Sequence, residues 1–129
     1  MNKMLALTVT LVAALATAPA FADPDLANGE KVFKKCAACH AVGPDAKNKI
    51  GPMLTGVIGT DIASNPDFKY SDAFLAKKAE GFVWDAASLD EFLKKPKDFI
   101  SGTKMTFAGL KKDDQRADVI AYIESFKTE

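Results

Sequence analysis

Both cysteines of this 129-residue chain and its only histidine fall within five consecutive positions, Cys36-Ala37-Ala38-Cys39-His40. A chain that gathers every thiol and its one imidazole in one place folds around whatever those side chains hold. A disulfide between Cys36 and Cys39 would close a very small loop, which constrains an unfolded chain little. A dithiol redox site uses the same spacing, but within an alternating strand–helix pattern that this chain lacks. Zinc needs a fourth ligand, and three ligands from one short segment wrap a tetrahedral ion poorly.

The remaining chemistry for C-x-x-C-H is covalent attachment of a c-type haem. Each thiol adds across a vinyl group, and the helical turn after Cys39 delivers His40 to the iron. Two anchors fix the edge of the ring, and the imidazole lands over its centre. The expectation is one haem c per chain, bound through Cys36 and Cys39, with His40 as an iron ligand.

The segment Gly43 to Tyr70 supports this independently. It holds four glycines and three prolines and sustains no period of 2 or 3.6 residues. A compact domain rarely tolerates so long an irregular stretch unless it is functional. Wrapped around a large apolar cofactor, it needs no sheet to pack on.

Helices are expected on either side. Pro24 to Lys35 suggests a short one, with Leu26, Val32 and Phe33 on one stripe. "YSDAFLAKK" (70–78) reads as a second, started by Ser71 or Asp72. "WDAASLDEFLKKP" (84–96) is a third, with Asp85 as N-cap, Leu89, Phe92 and Leu93 on one face, and Pro96 after its end. "DDQRADVIAYIESFK" (113–127) is the clearest, with Val119, Ile120, Ile123 and Phe126 at helical spacing and Asp113 or Asp114 as cap. No segment alternates as a strand. The fold class is therefore all-α, several short helices and long loops around one covalently attached haem.

The opening residues have a different character. Lys3 precedes an uncharged apolar run from Leu5 to Leu15, followed by Ala20-Phe21-Ala22. That pattern is a secretory signal peptide, residues 1–22, cleaved after Ala22, and its apolar run is too short for a membrane span. Residues 23–129 are then a single exported domain, expected in the periplasm. The 17 basic and 17 acidic residues leave no net charge. Without a basic surplus, nucleic acid is excluded as a partner.

Iron held by one imidazole either keeps an open face or takes a second axial ligand. There is no second histidine, so methionine is the candidate. Met53 follows Pro52, 13 residues after His40, and is most easily placed on the histidine side. Met105, in "FISGTKMTFAGLKK", is far enough along the chain to reach the other face. Methionine in a small protein is also common core filler, and the residues alone leave that alternative open.

Six segments, "GEKVFKKCAACHAVGP", "IGPMLTG", "FKYSDAF", "EGFVWDAASLDEFLKKPKDF", "GTKMTFAGLKK" and "RADVIAYIESF", occur in the order found in class I cytochromes c. The chain resembles most the bacterial cytochrome c2 branch and its mitochondrial relatives, over nearly all of residues 23–129. The resemblance implies that Met105 is the second axial ligand and that the Pro52 carbonyl accepts the proximal imidazole N–H, which would raise ligand basicity. It implies that Tyr70 and Trp84 reach one haem propionate, where both also read as ordinary core aromatics, and that Thr103 lies near the other. Gly29 and Phe33 match first-helix positions that pack near Tyr122. Three positions depart from the family pattern: Ser101 replaces a proline, Phe92 a tyrosine whose hydroxyl approaches the methionine sulfur, and Thr60 an arginine near a propionate.

By the same resemblance the chain is a one-electron carrier and not an enzyme. Its implied partners are a quinol–cytochrome c oxidoreductase as donor and a terminal oxidase or photosynthetic reaction centre as acceptor. Family equivalents of Lys35, Lys97 and Lys104 ring the haem edge as a docking face. On sequence alone these lysines read first as a solvated surface, and only the resemblance turns them into a docking face. A carrier of this size is most simply a monomer. The rivals are a five-coordinate haem c gas sensor or peroxidase-like protein, with an open iron face, and a thiol oxidoreductase, with free thiols and no colour.

Overall fold

The computed structural model describes residues 23–127; the expected signal peptide and its cleavage site lie outside the described residues. Among the described residues five helices follow one another: α1 (Leu26–Phe33), α2 (Asp72–Ala79), α3 (Ala86–Lys94), α4 (Pro96–Phe99) and α5 (Asp113–Glu124). Among the described residues the only β pairing is an isolated bridge between Asp61 and Val83. No helix there is long and apolar enough to cross a membrane.

The caps follow local chemistry. Asp25 starts α1 by accepting the Asn28 N–H, and Ser71 starts α2 by accepting that of Phe74. Asp85 starts α3 in a reciprocal arrangement, its carboxylate accepting the Ser88 N–H while Ser88 Oγ accepts the Asp85 N–H. Pro96 ends α3 as expected, but it also opens α4, because its fixed φ suits a first helical turn and its missing N–H is not needed there. The expected caps of α5 do not cap it. Lys112 occupies that position with no side-chain bond, and Asp113, inside the first turn, pairs with Arg116 instead.

The most extensive helix–helix contact among the described residues joins the first helix to the last, α1 against α5. Gly29, Val32 and Phe33 are buried on α1 and Val119 and Ile123 on α5, and the rings of Phe33 and Tyr122 lie 5.7 Å apart across the contact. Leu26, expected on the same stripe, is 49% exposed. Asp118 secures this end, accepting the Asp25 main-chain N–H at 2.8 Å and Asn28 Nδ2–H at 2.7 Å.

Helix α3 lays Leu89, Phe92 and Leu93 into the same core. There Phe92 meets Trp84, Phe74 and Phe99, all through ring edges. The irregular segment is tied back by main-chain bonds, Gly59 N–H to Trp84 O, Trp84 N–H to Thr60 O and Ile62 N–H to Phe82 O. Thr55 closes its first loop by both accepting the Gly43 N–H and donating to the Gly43 carbonyl.

Candidate functional site

Helix α1 does not stop cleanly at Phe33. Cys36 and Ala37 donate their N–H groups to Phe33 O, and Cys39 and His40 donate theirs to Cys36 O. This overwound continuation holds the two thiols one turn apart and places His40 immediately after them. Neither sulfur is taken up in a disulfide, and both are half-buried. Burial pushes the Cys36 thiol up to about 11, against the opposing pull of Lys35. A thiol exchanger works through its thiolate, so this site is poorly suited to that chemistry. Among the described residues no three His, Cys, Asp or Glu side chains converge as a metal-holding set, which leaves zinc without its ligands.

The loop after His40 is moulded to the imidazole. Gly51 donates its N–H to Cys39 O, and Leu54 donates to Ala41 O. A Cβ on Gly51 would stand 2.8 Å from both ring nitrogens of His40, so only glycine allows this approach. His40 Nδ1 lies 2.7 Å from the Pro52 carbonyl oxygen. A carbonyl can only accept, so Nδ1 carries the proton and the Nε2 lone pair is left for a metal. Burial lowers the imidazole pKa, and the bond to Pro52 opposes this only in part, so the ring is neutral as a ligand must be.

Met105 sits half-buried in the loop between α4 and α5 and packs against the same core as Cys36 and Tyr70. Its N–H donates to Thr103 Oγ1 at 3.2 Å. Tyr70 and Trp84 are joined through Phe74, which stacks on the first and tilts against the second. Burial raises the Tyr70 phenol pKa, and its oxygen already accepts the Asn65 N–H at 3.1 Å, so its proton is free to be donated elsewhere. Trp84 is buried, yet its indole N–H is not an orphaned buried donor. The Thr60 hydroxyl is spent on the Val57 carbonyl, and Ser101 is exposed. Lys35, Lys97 and Lys104 are exposed and carry no ion pair among the described residues, whereas Lys94 and Lys95 are tied to Asp90, Glu91 and Asp98.

These residues fit a haem. The thiols are spaced by a helical turn and the imidazole is neutral and oriented. Leu54, Val57, Tyr70, Met105 and Phe107 from separate loops, with Phe74 from α2, form half-buried apolar surface against the core. Sequence reasoning missed Gly51, although it stands in the quoted "IGPMLTG". It also missed Asn48 and Asn65, which bond the two loops near the imidazole, and the buried Arg116, for none of which the chain carries a local signal.

The family model for cytochrome c matches residues 26–127. Cytochrome c2 of Rhodomicrobium vannielii is 49% identical over 107 residues, covering 83% of this chain and 83% of that one. Cytochrome c-550 of Ancylobacter novellus is 47% identical, covering 80% of this chain and 96% of its own. The solved structure of cytochrome c2 from Rhodospirillum centenum superposes with a TM-score of 0.76 at 40% identity, covering 81% of this chain and 99% of that one. The all-α reading and the haem both stand. The chain belongs to the cytochrome c family: it is an electron-transfer protein with redox-protein partners and not an enzyme, and its haem c is attached covalently through Cys36 and Cys39.

Proposed function

We propose that this protein is a periplasmic one-electron shuttle whose iron is ligated by His40 and Met105. It would take electrons from a quinol–cytochrome c oxidoreductase and pass them to a terminal oxidase or photosynthetic reaction centre. The observation that carries this reading is the pre-set imidazole: neutral, its tautomer assigned by Pro52, its face approached by Gly51. The haem supplies one-electron exchange at iron when bound. What the chain adds is a fixed ligand geometry. Thioether sulfur favours the reduced metal, and an apolar surround disfavours the extra positive charge of the oxidised one.

In this reading Thr103 holds the Met105 main chain, Tyr70 and Trp84 offer donors to one propionate, and Lys35, Lys97 and Lys104 meet an acidic partner. The leader at residues 1–22 supports export, and the relatives named cytochrome c2 support the carrier role. The decisive experiment is absorption spectroscopy of the ferric holoprotein. The weak far-red sulfur-to-iron band is expected in the wild type and lost in Met105→Ala, which should also bind carbon monoxide when ferrous. Retention of the band without Met105, or its absence from the wild type, would overturn the axial assignment. Reduction by a quinol–cytochrome c oxidoreductase preparation tests the donor directly.

A further inference from the structure

The peptide unit between Pro52 and Met53 is held at both ends. Its carbonyl oxygen lies 2.7 Å from His40 Nδ1, and its N–H donates to Asn48 Oδ1 at 2.9 Å. The same Asn48 oxygen accepts Asn65 Nδ2–H at 2.8 Å. The donors assign these amides. A main-chain N–H can only donate, so the Asn48 atom facing Met53 is oxygen. The Asn65 oxygen is taken by the Asp67 N–H at 3.0 Å, which leaves its nitrogen for Asn48.

We propose that Asn48 is a positioning residue for the proximal imidazole, acting through the Pro52–Met53 peptide to set the strength of the His40 Nδ1–H···O=C bond. The inference rests on His40 being the iron's proximal ligand. An acceptor on the peptide N–H draws electron density onto the carbonyl oxygen of that peptide. Linked hydrogen bonds reinforce one another by about 10–30% per bond. A stronger acceptor at Pro52 draws the Nδ1 proton further, gives the ring more imidazolate character and makes Nε2 a more basic ligand. A more basic ligand favours the oxidised metal, so Asn48 holds the reduction potential down.

The bland role for Asn48 is to staple the 43–56 loop to the 61–70 loop. Both roles predict lost stability on mutation, so stability does not separate them. Substitution at Asn65 does, because it cuts the staple and leaves the Asn48–Met53 bond in place.

The experiment compares holoprotein variants Asn48→Asp, Asn48→Ala and Asn65→Ala with wild type. It reads the His40 Nδ1–H proton resonance of the ferrous protein and the reduction potential. Aspartate retains acceptors for both donors and adds charge, so the resonance moves downfield and the potential falls. Alanine at 48 moves both in the opposite direction, while Asn65→Ala leaves the resonance at its wild-type position. A carboxylate lowers the potential by its charge alone, so the resonance and the alanine variant are decisive. An unmoved resonance in both Asn48 variants overturns the proposal, as does Asn65→Ala reproducing Asn48→Ala. If Asn48→Ala does not fold, Asn48→Thr, whose shorter hydroxyl is a weaker acceptor, takes its place. Hyperfine-shifted His40 ring protons in the ferric wild type report ligation separately; their absence would remove the ligand assignment and the proposal with it.

Discussion

Gly29 lies directly on the main chain of Asp118, and a Cβ there would also stand 2.8 Å from Cβ of Tyr122. Here α1 meets α5, so the contact decides whether α1 can dock at all. Alanine is ordinarily the better helix former by about 1 kcal/mol. At position 29 that gain is outweighed, because backbone cannot yield as a flexible side chain does. Gly29→Ala is expected to lose roughly 1–3 kcal/mol, and Gly29→Val more. Denaturant midpoints of the holoprotein check this, and an unchanged midpoint for the valine variant would refute it.

Arg116 ties the loop carrying Met105 to α3 and α5. Its buried guanidinium donates from Nε to Asp90 and from Nη1 to the Leu110 carbonyl, both at 2.8 Å, and pairs with Asp113 through Nη2. In Arg116→Ala both carboxylates reach water, but the Leu110 carbonyl loses its donor. The expected cost is about 1–3 kcal/mol. Because Leu110 anchors the loop five residues after Met105, exogenous imidazole should also enter the ferric site faster than in wild type. Arg116→Lys should recover only part of both effects, since one ammonium cannot form the three-way fork. Stopped-flow binding beside a denaturation curve reads both quantities.

The unpaired lysines predict salt-sensitive encounter. Exposed Lys35, Lys97 and Lys104 have no local carboxylate partner among the described residues, so their field is available to another protein. Transfer rates with an oxidase or reductase preparation should fall as ionic strength rises and screening shortens its reach. Lys97→Glu should slow the reaction at low salt and flatten its salt response. A wild-type rate indifferent to salt would refute the docking face.

Among the described residues, Asp85 gives a clear acid-side effect at a helix end. Bonds from the Ser88 main chain and hydroxyl hold its carboxyl below the ordinary value for aspartate. A carboxyl lowered on folding adds stability above its unfolded pKa, and that contribution is lost as pH falls through the folded pKa. Fraying of α3 at its N-terminus is therefore expected on acidification below the ordinary aspartate range. Asp85→Asn, which caps without titrating, should remove that pH dependence, as amide exchange of Ser88 and Leu89 would record.

Much of this protein is readable along the chain because the relevant interactions are local. The thiols and the imidazole are spaced for one helical turn, Ser71 and Asp85 cap helices three residues away, and the glycines and prolines between 43 and 70 mark a wrapping loop. The departures from expectation also involve near neighbours. Asp113 bonds Arg116 instead of capping α5, and Leu26 stays half exposed. What only the tertiary structure decided lies in pairs far apart in sequence: Pro52 with His40 across 12 residues, Asn48 with Asn65 across 17, Arg116 with Asp90 across 26 and Asp118 with Asp25 across 93. Apart from Pro52, which the family resemblance pointed to, these are polar residues whose type carries no periodic signal. A hydrophobic stripe declares its face by repetition, whereas a single amide or guanidinium acquires its role only when folding brings its partner within hydrogen-bonding reach.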